Sequence, residues 1–235
     1  MYKRYRPFLL VNIMSVILVI GASRGLGLEF VRQYTEAGDR VIATVRDAAG
    51  RARVQAQGAE VLTVDVSQPS SVSRLAWQLD GEKIDTALYV AGIYASGTAQ
   101  LPPTRELFDR TLHTNVLGAM QVLPQIAPLV EAAQGRFGFI SSGMGHIGSV
   151  ESSQGWTYRV SKAALNMAVA SAQHDYPAAI LVALCPGWVR TDLGGPNAPQ
   201  SASQSVGAMR ATLANLTPAH KGQFLHHDGR LFAGW

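Results

Sequence analysis

An apolar run from Val16 to Ile20 leads straight into Gly21-Ala22-Ser23-Arg24-Gly25-Leu26-Gly27, and an amphipathic stretch follows it. This junction constrains the fold more than any other part of the chain. Glycines in the pattern Gly21-x-x-x-Gly25-x-Gly27 allow a tight turn and close backbone approach, so the amino terminus of the next helix can meet a pyrophosphate. A strand before the turn and a helix after it make this a nucleotide-binding unit. No Gly-Lys-Ser/Thr closes the turn, so it is not a P-loop, and its spacing also departs from GxGxxG.

Leu26, Phe30, Val31 and Tyr34 recur at helical spacing, and Gly38 stops the helix predicted over 25–37. Further strands are predicted at 41–45, 61–66, 86–91, 136–141 and 179–184, with a short last one at 222–226. Helices are expected over 70–79, from about 104 to 130 with Pro124 and Pro128 near the end, over 156–172 and over 200–216. Strands that are apolar throughout and alternate with helices imply a parallel sheet covered on both faces. Right-handed crossovers then give a doubly wound, Rossmann-type α/β sheet of about seven strands, with its crevice at the strands' carboxyl ends. The chain's chemistry-bearing motifs fall at those ends.

With 235 residues, 47% of them hydrophobic and 15% charged, the chain suits one folded domain, expected over 14–235. Lys3, Arg4 and Arg6 before the apolar run from Phe8 superficially resemble an export signal. Removing that run would delete the first strand, so residues 1–13 are instead expected to be an extension, or the product of an early start before Met14. A net charge of +4 suits an anionic cofactor, and no basic tract argues for nucleic acid. Neither is a membrane partner expected. Cys185 is the single cysteine, which excludes an intrachain disulfide and points to the cytoplasm.

Tyr158 and Lys162 lie four residues apart on one predicted helix, hence on one face about one turn apart. A nearby ammonium favours the phenolate and would lower the Tyr158 pKa, so the phenol could exchange a proton with a carbonyl or alcohol oxygen near neutral pH. Such a pair also arises by chance on amphipathic helices. Arg24 in the glycine turn and Arg46 after the second strand suit a 2′-phosphate, where an acidic residue would select NAD. Asp47 comes one residue late for that role. NADP(H), preferred over NAD(H), is the expected cofactor.

Several motifs in order make the chain resemble the short-chain dehydrogenase/reductases, from Met14 to Trp235. They are the glycine turn, Asp65-Val66, Ala91-Gly92, Asn115 in TNVLG, Ser141-Ser142, Tyr158/Lys162 and Pro186-Gly187. SSGMGHIGS, YRVSKAALN, CPGWVRTDLGGPNAP and HHDGRLFAGW resemble more narrowly the C-factor-like branch, which contains the bacterial C-signal protein. The resemblance implies a tetrad of Asn115, Ser142, Tyr158 and Lys162. In it Tyr158 exchanges the proton, Ser142 holds the substrate oxygen, Lys162 tunes Tyr158 and binds the nicotinamide ribose, and Asn115 holds a water through its helix backbone. It further implies cofactor contacts from Gly21, Ser23, Arg24, Gly25, Leu26, Gly27, Arg46, Asp65, Val66, Ala91, Gly92, Tyr158, Lys162, Pro186, Gly187, Val189 and Thr191. Tyr89-Val90-Ala91-Gly92 departs from the Asn-Asn-Ala-Gly of many relatives, so polar side chains that brace the sheet are missing.

These expectations carry competitors. Ser141 could replace Ser142, and Asn115 could simply bond a neighbouring backbone carbonyl. His113 and His146 are read as packing or pocket-wall residues and Cys185 as a buried small hydrophobe. His226-His227-Asp228 is rejected as a metal site, because adjacent strand residues face opposite ways. Residues 188–204 are expected to cover the pocket, with Met144, His146, Trp156 and Trp188 lining an aromatic, moderately apolar site for a small-molecule carbonyl or alcohol. The leading function is an NADPH-dependent carbonyl reductase. A C-factor-like signalling protein that binds NADP(H) with incidental turnover is the alternative. An epimerase is disfavoured, because little chain remains after Gly187 for a substrate domain. Monomer and homodimer both stay open, with pairing through the long helices.

Overall fold

The computed structural model describes residues 14–235, and the expected extension over 1–13 lies outside them. In chain order the elements begin β1 Val16–Ile20, α1 Gly25–Glu36, β2 Arg40–Val45, α2 Ala48–Gln55 and β3 Glu60–Thr63. Two single turns, α3 Pro69–Val72 and α4 Leu75–Gln78, lead to β4 Thr86–Tyr89, α5 Arg105–Leu112, α6 Gly118–Ala132 and β5 Arg136–Ile140. Then come α7 Trp156–Ala172, β6 Ile180–Cys185, β7 Val189–Arg190, β8 Gln200–Ser201, α8 Ala202–Ala214 and β9 Phe224–His226.

Seven strands form one parallel sheet in the order β3-β2-β1-β4-β5-β6-β9, while β7 and β8 pair separately. The winding reverses between β1 and β4, which opens a crevice at their carboxyl ends. Successive β1 residues enter opposite layers. Leu18 and Ile20 join Val122, Ile126 and Val130 of α6 and Leu165 and Val169 of α7. Ile17 and Val19 join Phe30 and Val31 of α1 and Val206 and Met209 of α8. Both faces are dry, which is why the strand shows no polar alternation in sequence.

Several boundaries differ from those expected. The helix over 70–79 is two separate turns, because its serines bond locally: Ser71 Oγ accepts the Asp65 N–H at 3.0 Å and Ser73 Oγ donates to the Ser70 carbonyl at 3.2 Å. The third strand pairs only to Thr63. Helix α2 was not expected, since only Gly50 and Val54 are buried in it; Asp47 starts it by accepting the Gly50 N–H at 2.6 Å. The long helix is α5 and α6 joined by one wide π turn, His113–Leu117. Pro124 and Pro128 sit inside α6, both exposed, so the acceptors they leave unpaired face solvent.

The missing asparagine brace after β4 has a replacement. Fully buried Tyr89 donates from its hydroxyl to the Thr114 carbonyl at 2.9 Å, tying β4 to the π turn. Its bulk requires a glycine opposite, since a Cβ on Gly118 would lie 2.7 Å from that hydroxyl. Tyr89→Phe should therefore cost about 1 kcal/mol and lower the melting temperature by about 2–4 °C, read by calorimetry. An unchanged melting curve would show that the hydroxyl braces nothing.

Candidate active site

A cavity of about 900 Å³ occupies the crevice, at the large end of the ~300–1,000 Å³ range of small-molecule sites. One end is walled by Gly21, Ser23, Arg24, Gly25 and Leu26 of the turn after β1, with Arg46, Asp65 and Val66 beyond β2 and β3. Ala91 and Gly92 form its floor, Ser142, Tyr158, Lys162, Pro186, Gly187 and Val189 line the other end, and Thr191 comes back to the glycine turn. Two expected residues stand behind the wall. Gly27 packs so closely that a Cβ there would lie 2.2 Å from the Gly21 carbonyl oxygen. Asn115 is fully buried beneath Gly92, whose own Cβ would come 3.4 Å from Asn115 Oδ1.

The turn has the character of an anion cradle. Gly21 holds φ at +91°, and a Cβ there would lie 2.6 Å from the Ala91 backbone nitrogen. The first turn of α1 carries no acidic residue and its N-cap, Arg24, offers no side-chain cap. Its N–H groups and the positive end of the helix are thus left for a ligand.

At the other end the proton-bearing groups converge. Ser142 begins a short 3₁₀ turn, accepting the Met144 N–H on its hydroxyl at 3.1 Å, and Ser141 is turned away to donate to Asn166 Oδ1 at 2.5 Å. Both serines line the cavity, but the Ser141 hydroxyl is committed to Asn166. Helix α7 presents Tyr158 and Lys162, 5% and 4% exposed, with the ammonium 5.7 Å from the phenol ring centre. Lys162 Nζ donates to the Ile140 carbonyl at 2.8 Å, its one acceptor among the described residues. Burial pushes its pKa down to about 8, opposed by the Cys185 thiol.

The Tyr158 expectation needs correction. Burial raises its pKa, and the Ser142 hydroxyl opposes that shift. Burial outweighs the Lys162 ammonium, which lies 5.7 Å from the ring centre and is bonded to the Ile140 carbonyl, so the net direction is upward. The protonated phenol is therefore the resting form.

Asn115 departs from a plain helix-interior residue. It sits in the π turn, where its Oδ1 accepts the Ile93 N–H at 2.8 Å and its Nδ2 donates to the Ile93 carbonyl at 2.9 Å and to Ser161 Oγ at 3.0 Å. The side chain thus clamps the cavity floor to α7, one residue before Lys162. Inserted π turns often mark functional sites, but a sequence pattern does not reveal them.

The substrate end also differs from expectation. Met144 and Trp188 line the cavity, whereas Trp156 does not, and His113 is exposed on the π turn. His146 faces away, its ring 4.9 Å from Phe232 in a C-terminal aromatic cluster. The motifs did not point to Tyr94, whose ring lies 5.1 Å from that of Tyr158 at 57°, or to Ile93, and both line the cavity. An aromatic two residues past Gly92 was the one available signal. Cys185 is buried but also lines the cavity, its Sγ accepting the Gly143 N–H at 3.1 Å.

Comparison with known proteins matches the short chain dehydrogenase model to residues 15–202. The chain belongs to the short chain dehydrogenase family. It is 33% identical over 233 residues to the 1-hydroxy-2-glutathionyl-2-methyl-3-butene dehydrogenase of Rhodococcus sp. (strain AD45), covering 94% of this chain and 100% of that one. It is 39% identical over 123 residues to C-signal of Myxococcus xanthus, covering 51% of this chain and 74% of C-signal. Its fold matches a short-chain dehydrogenase/reductase from Burkholderia multivorans with bound NADP at a TM-score of 0.84 and 32% identity, covering 94% and 100% of the two chains. The resemblance read from the motifs, to the family and to C-signal within it, holds.

Within this family member the cavity rim carries the charges. Arg46 is exposed and has no hydrogen-bond or ion-pair partner among the described residues. Asp47, the carboxylate one residue late, is occupied as the cap of α2. Of the residues 188–204 expected over the cavity, Trp188, Val189 and Thr191 to Gly194 line it, and the segment is held by local bonds. Trp188 Nε1 donates to the Gly194 carbonyl at 2.7 Å, Gly195 N–H to the Thr191 carbonyl at 2.9 Å, and Arg190 to the Ala198 and Pro199 carbonyls at 2.8 and 2.9 Å. Pairing of β7 with β8 closes the base of this loop.

Proposed function

We propose that this protein is an NADP(H)-dependent oxidoreductase that interconverts a small-molecule carbonyl and its alcohol, working chiefly as a carbonyl reductase. The observation that carries the reading is the convergence of Ser142, Tyr158 and Lys162 in one wall of a cavity whose far end is an uncapped, glycine-lined helix terminus. The fit to a dinucleotide rests on that cradle and on Lys162, a buried ammonium with one protein acceptor and N–H groups to spare. Gly21, Ser23, Gly25 and Leu26 would hold the pyrophosphate, Arg24 and Arg46 the 2′-phosphate, and Asp65 and Val66 the adenine. Ala91, Gly92, Pro186, Gly187, Val189 and Thr191 would enclose the rest, with Gly27 behind the turn. Bound NADPH supplies the hydride for the carbonyl carbon.

The chain's own residues supply the proton and the positions. Ser142 holds the substrate oxygen next to Tyr158, and the Tyr158 O–H gives that oxygen its proton as the carbonyl becomes an alcohol. Burial keeps Tyr158 protonated at neutral pH, which favours reduction over oxidation. The phenolate left behind is stabilised by the Lys162 ammonium and the Ser142 hydroxyl. Asn115 fixes the floor and α7 relative to each other.

NADPH oxidation followed by absorbance over ketones, aldehydes and quinones tests this reading, and absence of turnover on every carbonyl would sink it. Similarity to C-signal supports one other reading, an NADP(H)-binding signalling protein with incidental turnover. Tight NADPH binding with no reduction would favour it. The pH dependence is a sharper check. Lys162 is cationic below its pKa of about 8 and neutral above it. Reductive kcat/KM, which reports the free protein, should be level from about pH 6 to 7.5 and fall above about pH 8 by about tenfold per unit. A profile still level at about pH 9.5 would mean that the Lys162 ammonium does not stabilise the Tyr158 phenolate.

A further inference from the structure

Arg24 does not stand free at the cavity rim. Its Nη1 donates to Asp192 Oδ2 at 2.9 Å across 168 residues of chain, from the glycine turn to the covering loop. Both residues line the cavity. Asp192 is presented by a bonded turn: Gly194 N–H donates to Thr191 Oγ1 at 3.2 Å and Gly195 N–H to the Thr191 carbonyl. The Thr191 methyl lies 3.6 Å from where a Gly25 Cβ would sit, so the turn rests on the glycine loop at a second point. The carboxylate is thus mounted on a built support beside the guanidinium assigned to the phosphate.

We propose that Asp192 competes with the cofactor's 2′-phosphate for Arg24, and so limits how strongly the phosphate-bearing nucleotide is selected. This rests on the NADP(H) reading above. The side chains of the pair are 67% and 73% exposed, so solvent screens it and it is weak. A latch of that strength would not retain a nucleotide. A phosphate carries a larger charge and more acceptor oxygens than a carboxylate, and it takes the guanidinium from Asp192. The exchange subtracts the lost pair from the affinity gained, and it leaves a carboxylate next to the incoming anion. Arg46, which has no partner to surrender among the described residues, bears no such handicap.

Calorimetric titration with adenosine 2′,5′-bisphosphate and with 5′-AMP tests the idea without turnover. Asp192→Asn should tighten the bisphosphate by roughly two- to fivefold and leave 5′-AMP within about a factor of two, so the ratio of the two constants rises. In an Arg24→Ala background the same substitution should have no effect on that ratio. A ratio unchanged by Asp192→Asn overturns the proposal. So does a rise that persists without Arg24, which would be plain loss of a negative charge, or a weakening of both ligands, which would make the pair a latch. A wild-type protein that does not distinguish the two ligands would overturn the NADP(H) reading itself and this inference with it. Preference in the wild type with an unchanged ratio in the variant would overturn this inference alone.

Discussion

Tyr158→Phe is expected to lower carbonyl reduction by about 10²–10⁴-fold and to leave NADPH affinity nearly unchanged. The substitution removes one oxygen and keeps the ring, which is 5% exposed and packs against Tyr94 at 5.1 Å. Packing is therefore preserved while the proton donor is lost. The neighbouring groups are poor substitutes: Ser142 is a weak acid, burial raises the Cys185 thiol above its ordinary value, and the Lys162 ammonium is bonded to the Ile140 carbonyl. Single-turnover reduction under saturating NADPH, with binding measured by fluorescence titration and folding by thermal melt, separates the possible outcomes. If turnover, cofactor binding and melting temperature all fall together, Tyr158 is a core residue and the proton-transfer role is wrong. Turnover within about tenfold of wild type would equally reject it.

Arg46→Glu is expected to weaken NADPH by roughly 10- to 100-fold, from loss of a charge-assisted hydrogen bond of about 1.5–3 kcal/mol, and to change NADH by less than about threefold. Arg46 has no protein partner among the described residues, so its removal breaks nothing inside the fold. The adjacent carboxylate, Asp47, already caps α2. Dissociation constants for both cofactors, measured at fixed ionic strength because the effect is screened by salt, decide the matter. Equal losses for NADPH and NADH would sink the assignment of Arg46 to the 2′-phosphate.

Residues and their order in the chain were enough to determine the architecture, because strands apolar throughout have one stable home, a sheet buried on both faces. The same holds for the glycine turn, where a Cβ on Gly21 would strike the Ala91 backbone, one on Gly27 would strike the Gly21 carbonyl, and Gly25 has a positive φ. Tyr158 and Lys162 were legible as a pair, since helical spacing alone puts them on one face. Only the tertiary structure decided their electrostatics. The sequence pattern brings lysine near tyrosine, but burial in a wall shared with Ile140 and Cys185 determines that the phenol is raised and the ammonium depressed. The π turn around Asn115, the Tyr89 brace and the Arg24–Asp192 pair were equally beyond reach. Each joins segments 22 to 168 residues apart. Local propensity acts over a few residues, so contacts at that range are settled by how the layers pack.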